Sequence, residues 1–202
     1  MSAPAWIIIL IKDLDSAKSR LTSVLLPPAR RQLALTNAQR AVDAAINVGP
    51  TLAICGSDEA ARVAAARGAE VIVESSPSGQ NAAGTTGLVA ASARGATAAL
   101  LLSSDLPLVD SAALERMLAR AAALSGPVAV AAAAIGRQGT NALFLRPLDN
   151  FDLHFGDASL LRFADEARRR ARMFVVHQDP CLGLDLDEPG DLAAWEELRK
   201  LA

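Results

Sequence analysis

Apolar residues in this chain follow two alternating patterns. Short unbroken runs, of which Trp6-Ile7-Ile8-Ile9-Leu10-Ile11 is the first, are followed by longer stretches whose apolar positions recur every three or four residues. The short runs predict strands over 6–11, 51–55, 70–73, 98–102, 128–133, 141–145 and 173–177. Several are continuously hydrophobic, the pattern of parallel strands covered on both faces. The longer stretches predict helices over 28–47, 58–67, 81–94, 111–124, 158–171 and 189–201, with Pro28 and Pro189 at early helix positions and Gly49 and Gly68 at helix ends. This alternation predicts an α/β fold, a three-layer Rossmann-like arrangement with a mostly parallel twisted sheet between helices. One interval breaks the rhythm. Ile135-Gly136-Arg137-Gln138-Gly139 is too short for a crossover helix, so at least one of the strands beside it runs antiparallel. No linker or repeat interrupts the pattern, and residues 1–202 read as one domain.

Composition adds exclusions. With 51% hydrophobic residues the 202-residue chain can fill a core, and with aromatics at 3% and no tyrosine that core is built from small and branched aliphatic side chains. A net charge of -2 supplies no general field for nucleic acid or an anionic membrane, so any anion site is local. Cys55 and Cys181 belong to no Cys-x-x-Cys pair or Cys/His cluster, which argues against a disulfide framework or zinc site and for a reducing cytoplasm. The first apolar run is too short to span a bilayer and lacks the flanks of a signal peptide.

Lysine is rare here, and two of the three lysines, Lys12 and Lys18, lie with Arg20 directly after the first predicted strand. Ligands of open α/β sheets bind at the carboxyl ends of the strands, where such cations suit a polyphosphate. A solvated basic loop is the alternative. Asp105, in Ser103-Ser104-Asp105-Leu106-Pro107, occupies the same edge after the fourth strand and offers a hard oxygen ligand for magnesium. Its alternative is capping the helix near Asp110, from which it lies several residues away. In Gly183-Leu184-Asp185-Leu186-Asp187, an extended backbone would turn Asp185 and Asp187 to one side, where they repel unless a cation lies between them. Glu188 and Asp191 suit the N-terminus of the last helix.

Other segments offer neutral donors. Gly79-Gln80-Asn81-Ala82-Ala83-Gly84-Thr85-Thr86 has P-loop-like glycine spacing but Thr85 where lysine is required, so it is no Walker motif. Gly79 and the amide of Asn81 at a helix start can still approach a nucleotide, with a plain loop-to-helix junction as the alternative. Gly139-Thr140-Asn141 and Phe155-Gly156-Asp157-Ala158-Ser159 can hold a small anion or serve as ordinary turns. His154 and His177 show no triad or metal spacing, and Arg168-Arg169-Arg170 reads as a solvated helix face.

Taken in order, Lys12-x5-Lys18-Ser19-Arg20-Leu21, Gln80-Asn81-Ala82-Ala83, Ser104-Asp105-Leu106-Pro107-Leu108, Gly139-Thr140-Asn141-Ala142-Leu143, Phe155-Gly156-x-x-Ser159 and Leu184-Asp185-Leu186-Asp187-x-Pro189 resemble the CofC/FbiD guanylyltransferases of coenzyme F420 biosynthesis, relatives of the MobA-like nucleotidyltransferases. The resemblance implies a nucleotidyltransferase fold and transfer of GMP from GTP to the phosphate of 2-phospho-L-lactate, phosphoenolpyruvate or 3-phospho-D-glycerate. It implies that Asp105, Asp185 and Asp187 bind magnesium, that Thr140, Gly156 and Ser159, with Asn141 beside them, hold the acceptor, and that Lys12, Lys18 and Arg20 embrace the triphosphate. It leaves room for a homodimer and for hand-off of the product to a downstream transferase. Another nucleotide or acceptor, or a non-catalytic nucleotide-binding module, are the alternatives. The chain departs from the family pattern at Leu10-Ile11-Lys12, at Ser103-Ser104, and at Asp157, which either faces the acceptor or caps a helix beginning at Ala158.

Overall fold

A computed structural model describes residues 4–15, 17–76 and 79–199. Seven strands form one sheet: β1 (Trp6–Ile11), β2 (Thr51–Cys55), β3 (Glu70–Val73), β4 (Ala99–Ser103), β5 (Val128–Ala133), β6 (Thr140–Arg146) and β7 (Met173–His177), in the order β3-β2-β1-β4-β6-β5-β7. All run parallel except β6, which is antiparallel to both its neighbours, β4 and β5. The short Ile135–Gly139 connection thus makes the hairpin that its length dictates. β1 to β5 each lie within a residue or two of the predicted runs, and β6 extends one residue beyond its predicted span at each end.

Side-chain alternation along the strands divides the core in two. Ile7, Ile9 and Ile11 of β1 pack with α1 (Pro27–Ile46), α2 (Asp58–Ala65) and α4 (Ser111–Ala122), whereas Ile8 and Leu10 face α3 (Gln80–Ala93) and α5 (Ser159–Arg169). Alanines on the helices let them lie close to the sheet. Gly84 and Gly87 take this furthest: a Cβ on Gly84 would come 2.5 Å from Leu153 Cδ1, and one on Gly87 2.4 Å from Ile8 Cγ2. Gly84, part of the P-loop-like spacing, is therefore a packing residue inside α3.

Two helix starts decide local questions. Asp110 accepts from the Ala113 N–H at 2.7 Å and so caps α4 itself, which leaves Asp105 without a capping role there. The start of α5 corrects an expectation, because its N-cap is Ala158 in the left-handed region (φ 52) with no side-chain cap, and Asp157 is exposed. Asp157 therefore neither caps the helix nor turns inward. A four-residue helix, α6 (Pro180–Gly183), was not foreseen; Asp179 caps it by accepting from the Cys181 N–H at 2.9 Å. The last helix, α7, spans Pro189–Arg199, and its predicted end at Leu201 lies outside the described residues.

Candidate active site

The strand order places a crevice between the carboxyl ends of β1 and β4, because the chain from β1 goes on to β2 and β3 on one side and returns through α3 to β4 on the other. Loops diverge at such a reversal and leave room for a ligand. A cavity of about 240 Å³ opens there. Lys12, Lys18, Asp105 and Asp187 line one end of it, and Glu74, Gly79 and Gln80 line it as well.

Lys18 adopts a left-handed backbone (φ 59), uncommon for a residue with a side chain and frequent at functional sites. Its ammonium lies 3.3 Å from Asp105 Oδ2 and 3.1 Å from Asp187 Oδ1 and is 4% exposed. Burial works against its charge, but Asp105 and Asp187 outweigh burial and hold its pKa above that of an ordinary lysine. Burial would likewise push Asp105 up, yet Lys18, the Ser103 hydroxyl (2.6 Å) and Lys12 hold its carboxyl below the usual range. The Asp105 carbonyl accepts from Asn37 Nδ2 at 3.3 Å and from the Leu186 N–H at 3.4 Å, which ties α1, the β4 loop and the second acidic segment together.

Asp185 and Asp187 do fall on one side, flanking buried Leu186. One oxygen from each of Asp105, Asp185 and Asp187 lies within 4.8 Å of the others. Two opposed magnesium–oxygen bonds span about 4.2 Å, so small rotamer changes suffice for the trio to hold a hard divalent cation. The electrostatics fit this. Burial, then the charge of Asp105, raise the Asp185 pKa to about 6, only partly offset by Arg137 at 2.9 Å. A cation would remove that repulsion.

Residues 182–187 are held in place by groups that sequence reading assigned elsewhere. A bulge leaves Asn141 as the extra residue between the Ala132–Ala142 and Ala133–Thr140 pairs. The buried Asn141 amide donates at 3.0 Å to both the Leu182 and Gly183 carbonyls, and the Gly183 carbonyl also accepts from the Ile135 N–H at 2.8 Å. Asn141 thus positions the acidic segment. Arg137, in the hairpin loop, joins Asp185 to Asp191, and Asp191 accepts from the Asp187 and Glu188 N–H groups at the start of α7. Arg137 was not singled out from sequence as a site residue, and Ser103, two residues before Asp105, stood out only as a departure from the family pattern.

The small-residue segments meet at a neighbouring corner. The Leu160 N–H donates to the Gln138 carbonyl at 3.0 Å, bringing the start of α5 beside the start of β6. The hydroxyls of Thr140 and Ser159 are both buried there without a hydrogen-bond partner. Gly156 turns the chain into this corner at φ 116, where a side chain would be strained. Asn81 grips the same loop: its Nδ2 donates to the Phe155 carbonyl at 3.2 Å and its Oδ1 accepts from the Phe155 N–H at 2.6 Å. That side chain is engaged in holding the loop, while its backbone amide stays in the first turn of α3 beside the cavity.

Arg20 does not join the other cations. It is 65% exposed, pairs with Glu188 at 3.9 Å and does not line the cavity. His154 and His177 lie near Glu166 and Asp179, outside the cavity lining. Arg169 and Arg170 both reach the buried Glu166, so only Arg168 of that triplet fits a purely solvated face.

The family profile described as "Guanylyl transferase CofC like" matches residues 5–196. The chain belongs to the CofC-like guanylyltransferase family. It is 37% identical to the phosphoenolpyruvate guanylyltransferase of Rubrobacter xylanophilus over 92% of this chain and 90% of that one. It is 33% identical to the 3-phospho-D-glycerate guanylyltransferase of Phenylobacterium zucineum, covering 87% and 82%. Among solved structures it resembles a candidate nucleotide-diphospho-sugar transferase from Desulfovibrio desulfuricans G20 (TM-score 0.80, 16% identity, 98% and 88% covered) and a cytidylyltransferase from Leptospira borgpetersenii (TM-score 0.64, 13% identity, 99% and 88% covered). At such identities these two likenesses concern the fold, a Rossmann-like nucleotidyltransferase sheet.

Proposed function

We propose that this CofC-like guanylyltransferase moves GMP from GTP to the phosphate of a phosphorylated three-carbon acid, within coenzyme F420 biosynthesis. A phosphate oxygen of the acceptor attacks the α-phosphorus of GTP, the bond from that phosphorus to the bridging β-oxygen breaks, and pyrophosphate leaves. The observation that carries this reading is the clustering of Asp105, Asp185 and Asp187, of which Asp105 and Asp187 line one end of a cavity that Lys12 and Lys18 also line. Such a transfer needs alignment and charge neutralisation rather than a protein nucleophile.

Lys12 and Lys18 supply positive charge to the triphosphate and to the departing pyrophosphate, while Arg20, exposed and paired with Glu188, stays outside the cavity. Asp105, Asp185 and Asp187 would hold magnesium, which, when bound, neutralises phosphate charge and orients the reacting groups. The unpartnered hydroxyls of Thr140 and Ser159 and the backbone at Gly156 face the acceptor acid, where buried donors without partners are worth most once a ligand supplies them. Gly79 and the backbone amide of Asn81 border the nucleotide, and Asn141 acts through the acidic segment. Phosphoenolpyruvate is the acceptor expected first, from the name of the Rubrobacter relative. The setting is cytoplasmic, with dimer formation and product hand-off as its further parts; no helix among the described residues is long and apolar enough to cross a membrane.

Incubation with GTP, magnesium and a mixture of phosphoenolpyruvate, 2-phospho-L-lactate and 3-phospho-D-glycerate tests this reading. Pyrophosphate and one guanylylated acid, identified by mass, are expected. Folded protein that binds GTP and forms no product with any of the three would refute it.

A further inference from the structure

The cavity has a second end. Glu74 follows β3, its N–H donating to the Cys55 carbonyl at 2.9 Å, and it lines the cavity together with Gly79 and Gln80 at the start of α3. In the order β3-β2-β1-β4, the strands leading to Glu74 and Asp105 lie three spacings apart, about 14 Å. Apolar side chains of Leu10 and Ile54 line the stretch between. A carboxylate at that end repels phosphate, so the two ends suit opposite parts of one ligand. The Cys55 thiol, pushed up to about 12 by burial and then by the charge of Glu74, stays neutral.

Resting on the guanylyl-transfer reading above, we propose that Glu74 reads the guanine edge, its two carboxylate oxygens accepting from N1–H and the 2-amino group. Guanine presents two adjacent donors with an acceptor, O6, beside them. An ionised carboxylate is acceptor-only and takes two parallel donors. The Gln80 side-chain amide and the first N–H groups of α3, which have no intrahelical acceptor, supply donors for O6. Adenine and cytosine each turn a ring-nitrogen lone pair toward the carboxylate, and uracil offers it one donor only. Sites built to meet polar groups reject bases that leave those groups unpaired by several orders of magnitude.

The test is nucleotide binding in the presence of magnesium, by calorimetry, with GTP, ITP and XTP, on the wild-type protein and on Glu74→Gln and Glu74→Asp. Wild type is expected to bind GTP at least tenfold more tightly than ITP, which lacks the 2-amino group, and than XTP, which carries a carbonyl there. Glu74→Gln brings an amide N–H to that carbonyl, so it is expected to reverse the order and bind XTP at least tenfold more tightly than GTP. Glu74→Asp keeps the acceptor pair and is expected to retain the GTP preference with weaker binding. A Glu74→Gln protein that still prefers GTP overturns the proposal, as does equal loss of all three nucleotides in both variants, which would mark Glu74 as structural. Binding is read without acceptor, so this outcome is separate from failure of the transfer reaction.

Discussion

Replacing Asp185 with asparagine is expected to make the metal-free protein more stable while impairing its response to magnesium. Asp185 is 12% exposed and lies within a cluster of like charges; burial and Asp105 lift its pKa from an ordinary 3.8 to about 6 despite Arg137. At about 1.4 kcal/mol per tenfold change, holding this carboxylate ionised at neutral pH costs the folded chain roughly 3 kcal/mol. Because the folded pKa is raised, the favourable contribution of the protonated form is complete below about pH 4 and is lost as pH rises through about 6. Asparagine removes that dependence and still offers Arg137 an oxygen. In urea denaturation with EDTA at pH 7.5, Asp185→Asn should gain roughly 3 kcal/mol, equivalent to about 6–12 °C in melting temperature. The gain should vanish near pH 4, and added magnesium should stabilise wild type above pH 6 far more than the variant. A variant no more stable than wild type at pH 7.5, or a gap that is the same at pH 4 and 7.5, would refute the reasoning.

Three further outcomes are expected. Lys18→Met leaves Asp105 and Asp187 without their buried cation, so urea denaturation in EDTA should show a loss of about 3 kcal/mol, partly restored by magnesium, with turnover down at least a hundredfold. Gly87→Ala drives a methyl against Ile8 Cγ2 and should cost about 1–3 kcal/mol in the same denaturation, with the KM for GTP nearly unchanged. Asn81→Ala strips partners from the Phe155 N–H and carbonyl; steady-state kinetics should show the acceptor KM rising about tenfold and the GTP KM rising less, in keeping with the loss of two hydrogen bonds that hold the loop.

The sequence was most legible where a local rule operates. Short unbroken aliphatic runs between turn residues suit strands covered on both faces, so the positions of β1, β2, β4 and β5 follow from run length and pattern. A five-residue gap cannot cross over a sheet, so the antiparallel pairing of β5 with β6 follows from chain length, and the structure shows that β6 is the reversed strand. Asp185 and Asp187 share a side because extended backbone alternates. Local rules failed where a side chain's partner lies far along the chain. Asn81 and Asn141 look like ligand donors next to glycines and threonines, yet their side-chain amides are engaged by Phe155 and by Leu182 and Gly183, which leaves Asn81 only its backbone N–H for a ligand. Arg137 lies 48 residues from Asp185, and a loop arginine carries no local mark of such a pairing. Asp157 failed as a cap because the helix starts one residue later, from Ala158 in the left-handed region.

What the sequence determined by itself was therefore the set of elements, their alternation into an α/β sheet, and the order in which basic, acidic and small-residue segments leave it. Periodicity and chain length act over a few residues and need no partner. Only the tertiary structure decided which of these segments meet. It brought Lys18 between Asp105 and Asp187, left Arg20 outside, and set Glu74 at the other end of the same cavity. Those outcomes depend on strand order and on burial. Both are properties of the whole sheet, and they set the charge each group keeps.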